Sequence, residues 1–260
     1  MVDHEEPGNV RRPPSKRIAD ELRQAIDSGD MAPGAKLPSE RDLAAQYGTA
    51  RNTAREAVRI LIDAGLVIAE HGRGAYVRRP QTLIRLGNDR YSPKYRATGL
   101  SPFLLECAKQ GKTGRFEVLG IERATPTIEV ANRLDVSDKT KSVLQRENIF
   151  WADDDPVQRV TTYIPWAIAK GTGLLQEEVP HQYGIHGVLE DQGHVMARIR
   201  EEINARMPRA DEARHMRVPP GVPVIDVLHT SVDEQGKAYE VTRFVMRADM
   251  SGLLYDVPVE

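Results

Sequence analysis

The chain has 260 residues, 40% hydrophobic and 28% charged, the balance of an ordinary globular protein with room for more than one domain. No apolar run approaches the ~18 residues that a membrane span needs, and Met1–Asn9 is acidic and polar, unlike a signal peptide. The single cysteine, Cys107, excludes an intrachain disulfide and a cysteine-rich zinc site; it fits a reducing, cytoplasmic setting and reads as an inert core thiol.

Residues 1–15 combine charges with Pro7, Gly8 and Arg-Arg-Pro-Pro and read as a disordered tail. From Lys16 to Ser28, Ile18, Leu22 and Ile26 recur at i, i+4 and i+8, one apolar stripe of a helix that stops at Gly29. Pro33-Gly34 marks a turn. Ser39 caps a second short helix with Leu43, Ala44 and Tyr47 inward, and Gly48 breaks it. A third helix runs from about Arg51 to Ala64, with Ala54, Ala57, Val58, Leu61 and Ile62 on one face. Leu66–Glu70 and Ala75–Arg79 are strand-like runs joined by His71-Gly72-Arg73-Gly74. Together these elements predict a winged helix-turn-helix over residues 16–79.

The net charge of −2 argues against simple polycationic binding to nucleic acid, but residues 36–80 hold eight Lys/Arg against five acids. That asymmetry fits a small DNA-reading module on a body that does not touch DNA. The third helix is polar where it would enter a major groove and apolar where it would pack. Arg51, Asn52, Thr53 and Arg55 open it, and Arg and Asn pair with guanine and adenine edges respectively. Thr49, Ser39 and Arg41 are candidate phosphate contacts. In the hairpin, Gly72 and Gly74 allow close backbone approach while His71 and Arg73 project outward.

Pro33-Gly34-x-x-Leu37-Pro38-Ser39-Glu40-Arg41-x-Leu43-Ala44, Arg51-x-Thr53-x-Arg55-Glu56-Ala57, Leu61-x-x-x-Gly65-Leu66 and Gly72-Arg73-Gly74-x-x-Val77 resemble the GntR family of bacterial regulators. The resemblance implies DNA contacts from Ser39, Arg41, Arg51, Thr53, Arg55 and the His71-Gly72 wing tip. One position departs: the family usually has Ser or Thr before the recognition-helix arginine, where Ala50 stands here. A lost cap is worth ~1 kcal/mol.

Residues 80–97 mix Pro, Arg, Asn and Ser without period and read as a linker to a second domain over 98–260. That part repeats itself. Thr-Pro-Thr-Ile-Glu-Val-Ala-Asn-Arg-Leu-Asp-Val at 125–136 aligns with Met-Pro-Arg-Ala-Asp-Glu-Ala-Arg-His-Met-Arg-Val at 207–218, an offset of 82. At that offset each unit has an extended run before it (116–123, 195–206) and strand-like runs after it (142–151, 224–232), then a polar turn and a second strand. A duplicated strand–helix–hairpin predicts about six strands in one mostly antiparallel sheet carrying helices, an α+β fold.

Phe103 to Gly111, Asp153 to Pro156, Thr161-x-Tyr163-x-Pro165, Val218-Pro219-Pro220-Gly221-x-Pro223 and Gly236-x-x-x-Glu240-x-Thr242 with Arg247-x-Asp249 resemble the UTRA effector domain of the HutC-type subfamily. The resemblance implies a chorismate-lyase-like fold, a homodimer on double-stranded operator DNA, and a small-molecule effector, often a phosphosugar. The implied pocket includes Phe103, Asn148, Phe150, Val160, Thr162, Gly184, Glu240 and Met246. It departs from the family in one direction. Where many relatives carry Glu-Arg-x-Arg, this chain has Glu147-Asn148-Ile149-Phe150, which removes a guanidinium fork suited to phosphate. Val160, Gly184 and Met246 replace a Glu, a Ser and a Tyr. The pocket therefore holds a less anionic ligand or none. By strand alternation Arg146 is expected on the opposite face. His186 and His194 lack a metal-ligand pattern and read as surface or packing residues.

No Gly-rich phosphate loop, nucleophile elbow or paired catalytic carboxylates support an enzyme, and no cofactor is expected. A DNA-maintenance protein whose second domain only dimerises stays open beside a ligand-tuned regulator.

Overall fold

The computed structural model describes residues 13–70, 72–78, 83–92, 98–179, 181 and 183–257. They fall into two compact units parted at Pro80/Gln81, with Pro219–Val222 grouped with the first.

The first unit opens with α1 (Pro14–Asp27), two residues ahead of the expected start, because proline's fixed φ suits a first turn whose N–H groups lack partners anyway. α2 (Glu40–Gln46) is capped by Ser39, whose Oγ accepts the Asp42 N–H at 3.2 Å. α3 (Arg51–Asp63) is followed by the hairpin of β1 (Val67–Glu70) and β2 (Gly74–Val77), paired from Val67/Val77 to Glu70/Gly74. One core joins Ile18, Leu22, Leu37, Leu43, Leu61, Val67 and Val77. Ala54 and Ala57 are fully buried on α3, and their small side chains leave room for the neighbouring helices. This is the winged helix-turn-helix that the pattern predicts.

The second unit begins inside the stretch expected to be a linker. β3 (Leu83–Arg85) pairs in parallel with β10 (Ser251–Leu253), and a 3₁₀ turn spans Gly87–Tyr91. The linker expectation is corrected for these residues: a three-residue strand paired 168 positions downstream carries no local period to betray it. Residues 80–82 and 93–97 of that stretch lie outside the described set.

There follow α4 (Pro102–Lys109), β4 (Gly114–Ala124), α5 (Ile128–Leu134), β5 (Val143–Ala152), β6 (Asp155–Pro165), α6 (Trp166–Ala169), α7 (Ile185–Asp191), β7 (Met196–Arg206), α8 (Ala210–His215), β8 (Val224–Asp233) and β9 (Ala238–Arg247). Six strands form one antiparallel sheet in the order β4-β5-β6-β9-β8-β7. The order reads the same from either edge: edge strand, second strand, third strand, with the two repeats meeting at β6/β9. The duplication legible in sequence is thus a two-fold arrangement in the sheet. The helix acid at the equivalent position of each repeat pairs with an arginine on the other repeat's central strand, Asp211 with Arg159 at 2.6 Å and Glu129 with Arg243 at 3.2 Å.

The sheet buries two faces. On one, Val130 and Leu134 of α5 pack with Val143, Leu228 and Val241, and Met216 beyond α8 packs with Ile149, Val224 and Val245. On the other lie α4, the 83–91 segment and the turns leading into α7. There the interior is not filled.

Candidate functional site

Two sites emerge, one in each unit. On the first, Arg51 and Asn52 are exposed at the start of α3 and form no hydrogen bond or ion pair with described residues. Arg55, one turn on, is not free: its Nε and Nη2 donate to the Glu40 carboxylate at 3.0 and 2.9 Å, and that bond holds the Glu40 carboxyl below its usual range. Ser39 both caps α2 and donates to Asp42 Oδ2 at 2.6 Å, while Arg41 stands exposed beside Asp42. α3 begins at Ala50 without any side-chain cap, so Thr49 does not replace the lost hydroxyl; its backbone N–H donates to Ala44 O. Thr53 is half-buried on the first turn. In the wing, Gly72 and Gly74 adopt φ of +74° and +115°, which only glycine takes easily, and Arg73 pairs with Glu70 at 2.7 Å. His71 lies outside the described residues.

On the second unit a cavity of about 370 Å³ opens on the less-filled face of the sheet. Seven of the eight residues expected there line it: Phe103, Asn148, Phe150, Val160, Thr162, Gly184 and Glu240. Met246 does not. It packs in the core with Val160, Val227 and Phe244, near the end of β9. Arg146 is also corrected. It stands two residues before Asn148 on β5, so alternation puts both on the cavity face, and it lines the wall. Its guanidinium donates to the backbone carbonyls of Leu174, Gln176 and Glu177, which locks that loop rather than leaving a cation free.

The register lays a polar row straight across this face: Arg146, Thr162, Thr242, His229 and Glu201 are direct cross-strand neighbours. Thr242 bonds Thr162 at 2.9 Å and Glu240 at 2.6 Å; Ser231 bonds Glu240 at 3.1 Å and His229 at 3.0 Å; His229 Nδ1 lies 2.8 Å from Glu201. Burial alone would push the Glu240 carboxyl up, but the fields of His186 and His229 and the two hydroxyl donors outweigh it and hold it low. Glu240 is therefore a buried carboxylate. Burial pushes the His186 imidazole down, against the opposing field of Glu240 at 3.7 Å.

Several buried polar atoms of residues that line the cavity lack a hydrogen-bond partner. Arg90 Nε and Nη1, Ser101 Oγ, Asn148 Oδ1 and His186 Nδ1 are all buried and unsatisfied, and all four residues line the cavity. Arg90 is only 4% exposed, and its nearest carboxylate, Glu106, is 3.6 Å away. The sequence had singled out neither Arg90 nor Tyr91, because they sit in the segment taken for a linker. His186 had been set aside as a surface or packing residue, but it belongs to this wall. His194 does pack, stacked on the Tyr239 ring and bonded to Asp233 at 3.1 Å. Among the described residues no group of His, Cys, Asp and Glu could hold a metal ion.

Comparison with known proteins decides what carries these sites. The family model "Bacterial regulatory proteins, gntR family" matches residues 14–77, and the UTRA domain model matches residues 109–251, more than half of the chain. The chain belongs to the GntR family, in its UTRA-bearing branch. Among its relatives, an uncharacterized HTH-type transcriptional regulator of Rhizobium meliloti (strain 1021) is 30% identical over 90% of this chain and 91% of its own. The HTH-type transcriptional repressor NagR of Bacillus subtilis (strain 168) is 26% identical over 90% of each. A solved putative GntR-family transcriptional regulator is 28% identical with a TM-score of 0.64, covering 96% of this chain and 99% of that one. This GntR protein is accordingly a DNA-binding transcription regulator with an effector-type second domain.

Proposed function

We propose that this GntR regulator is a repressor that binds a near-palindromic operator as a homodimer, and that a small molecule in the sheet cavity tunes that binding. The relatives named as repressors, NagR and the PhnF protein of Mycolicibacterium smegmatis, support the sign of control. On the DNA side the contacts fall to Arg51 and Asn52 for bases, to Ser39, Arg41, Thr49 and Thr53 for phosphates, and to the Gly72–Gly74 wing with Arg73 and His71. Arg55 reaches DNA only by leaving or sharing Glu40, so Glu40 positions it.

The observation that carries the effector half of the reading is the set of unsatisfied buried atoms on one wall. A cavity that never binds anything has no reason to keep two N–H groups of the Glu106-paired Arg90 and the Asn148 amide oxygen without hydrogen bonds, because each costs about 1–3 kcal/mol when unmade. A bound ligand supplies what they lack. This favours a ligand-tuned regulator over a DNA-maintenance protein with an empty second domain, and no metal or cofactor enters the scheme.

A footprint and gel-shift on the regulator's own upstream DNA, with Arg51→Ala alongside, tests the operator half. A protected inverted repeat, lost in the variant and weakened steeply by salt, is the expected outcome. A well-folded dimer that selects no sequence from genomic fragments would sink it.

A further inference from the structure

The antiparallel sheet has two open edges. β4 and β7 each pair on one side only, so among the described residues the outer side of each offers backbone N–H and C=O groups to no other strand. β4 carries two large exposed apolar side chains, Phe116 at 43% and Leu119 at 39%, where β7 carries one, Ile203. Charges and a bulge commonly blunt such an edge. β4 has both, so its capacity to accept a strand turns on register.

Residues directly opposed in antiparallel strands share a face of the sheet. The pairing with β5 therefore sorts β4 into two sets. Gly114, Phe116, Val118, Ile121 and Arg123 lie on the cavity face, opposite the even-numbered residues of β5. Arg115, Glu117, Gly120, Glu122 and Ala124 lie on the other face. The bulge at Leu119 switches the parity half-way along the strand.

A second copy laid antiparallel on this edge about a two-fold axis must respect that switch. The register centred on the bulge keeps face with face on both sides of it. It sets Arg115 against the partner's Glu122 and Phe116 against the partner's Ile121, each twice by symmetry. The remaining charges, Glu117 and Arg123, then meet the partner's Gly120 and the partner's Gly114. Sliding by two residues one way opposes Glu117 to the partner's Glu122, and sliding the other way breaks both Arg115–Glu122 pairs. β7 offers no comparable register. It pairs without a shift from Arg198 to Arg206, so a two-fold sets one residue against its own copy. Centring on Arg200, Glu201 or Glu202 opposes like charges at the axis. Centring on Ile199 or Ile203 opposes Arg200 to the partner's Arg198 or the partner's Arg206.

Deepening the homodimer reading, we infer that two copies join by antiparallel self-pairing of their β4 edges, in the register set by the Leu119 bulge, with Arg115 facing the partner's Glu122. The two effector-type sheets become one. Because Phe116 also lines the cavity, the partner's strand borders the effector site and covers the exposed side of that ring.

The test is sedimentation velocity and light scattering on the full chain over a dilution series. Glu122 makes no hydrogen bond or ion pair with described residues, so Glu122→Arg leaves the fold intact. It sets arginine against arginine twice and should weaken the dimer about tenfold. Leu119→Lys, at the exposed bulge on the axis, is the second variant and weakens it as well. The exchange Arg115→Glu/Glu122→Arg restores both facing pairs and recovers the dimer to within a few-fold, which damage to either chain's own fold would not do. A double variant as weak as Glu122→Arg overturns the register. If the wild type is a dimer that neither Glu122→Arg nor Leu119→Lys weakens, the β4 edge is wrong while the homodimer reading stands. Open chains of copies in place of a closed dimer would mean β4 pairing with β7, and also overturn the inference. If the wild type is a monomer both free and on its operator, both readings are wrong.

Discussion

Arg85 and Glu201 form a deeply buried ion pair in the second unit, and breaking it predicts a large, pH-dependent loss of stability. The guanidinium meets the carboxylate in a two-point contact, Nη2 to Oε1 at 2.5 Å and Nη1 to Oε2 at 3.1 Å, with side chains 4% and 5% exposed. Glu201 also takes hydrogen bonds from His229 and from the Tyr255 hydroxyl. Arg85→Leu would leave a carboxylate out of water without its cation, a change that costs about 3–5 kcal/mol. That is a third or more of the stability of an ordinary domain. Both tryptophans, Trp151 and Trp166, lie in this unit, so urea unfolding followed by tryptophan fluorescence reads it directly. In the double variant Arg85→Leu/Glu201→Leu the stranded charge is gone, and the remaining loss falls to about 1–3 kcal/mol for the His229 and Tyr255 groups left unpaired.

The pH dependence has a fixed sign. Burial would raise the Glu201 carboxyl, but the His229 hydrogen bond and the paired Arg85 outweigh it and hold it far below the usual range. A lowered carboxylate contributes stability above its unfolded value of about 4.3 and loses it as pH falls toward the folded value. The gap between wild type and Arg85→Leu therefore narrows in acid. A gap under about 1 kcal/mol at neutral pH, or one that widens as pH drops, refutes the account.

Three further predictions follow from the same geometry. Arg51→Ala should lower discrimination between operator and mismatched DNA by about 1–3 kcal/mol, measured by competition gel-shift; a uniform loss on all sequences would make Arg51 a phosphate contact instead. Leu61→Ala, at a fully buried position on α3, should cost about 2.7–5 kcal/mol by opening a cavity among the three helices. Circular dichroism melting reads that loss, and a shift of only a degree would contradict the packing described. Cys107 is fully buried and desolvation pushes its thiol up to about 12, so a thiol reagent at pH 8 should label it only as fast as the unit unfolds.

What the sequence determined by itself were the features with a local period or a fixed spacing. The stripe of Ile18 and Leu22, the Ser39 cap and the glycine-bounded wing carry their structure in neighbouring residues, and the first unit follows them within one or two positions. The offset of 82 between repeats likewise survived because both copies obey the same alternation, and it appears in the sheet as mirrored strand order. What only the tertiary structure decided were the contacts made across long separations. β3 is recognisable as a strand only through β10, 168 residues on. Arg90, Ser101, Asn148 and His186 come from four separate segments and meet only because the sheet, α4 and the turn before α7 enclose one space. The polar row from Arg146 to Glu201 depends on register, which sets neighbours over four strand pairings and leaves no trace within any single strand. Local order was written in the sequence, whereas the cavity exists only where distant segments close on one another.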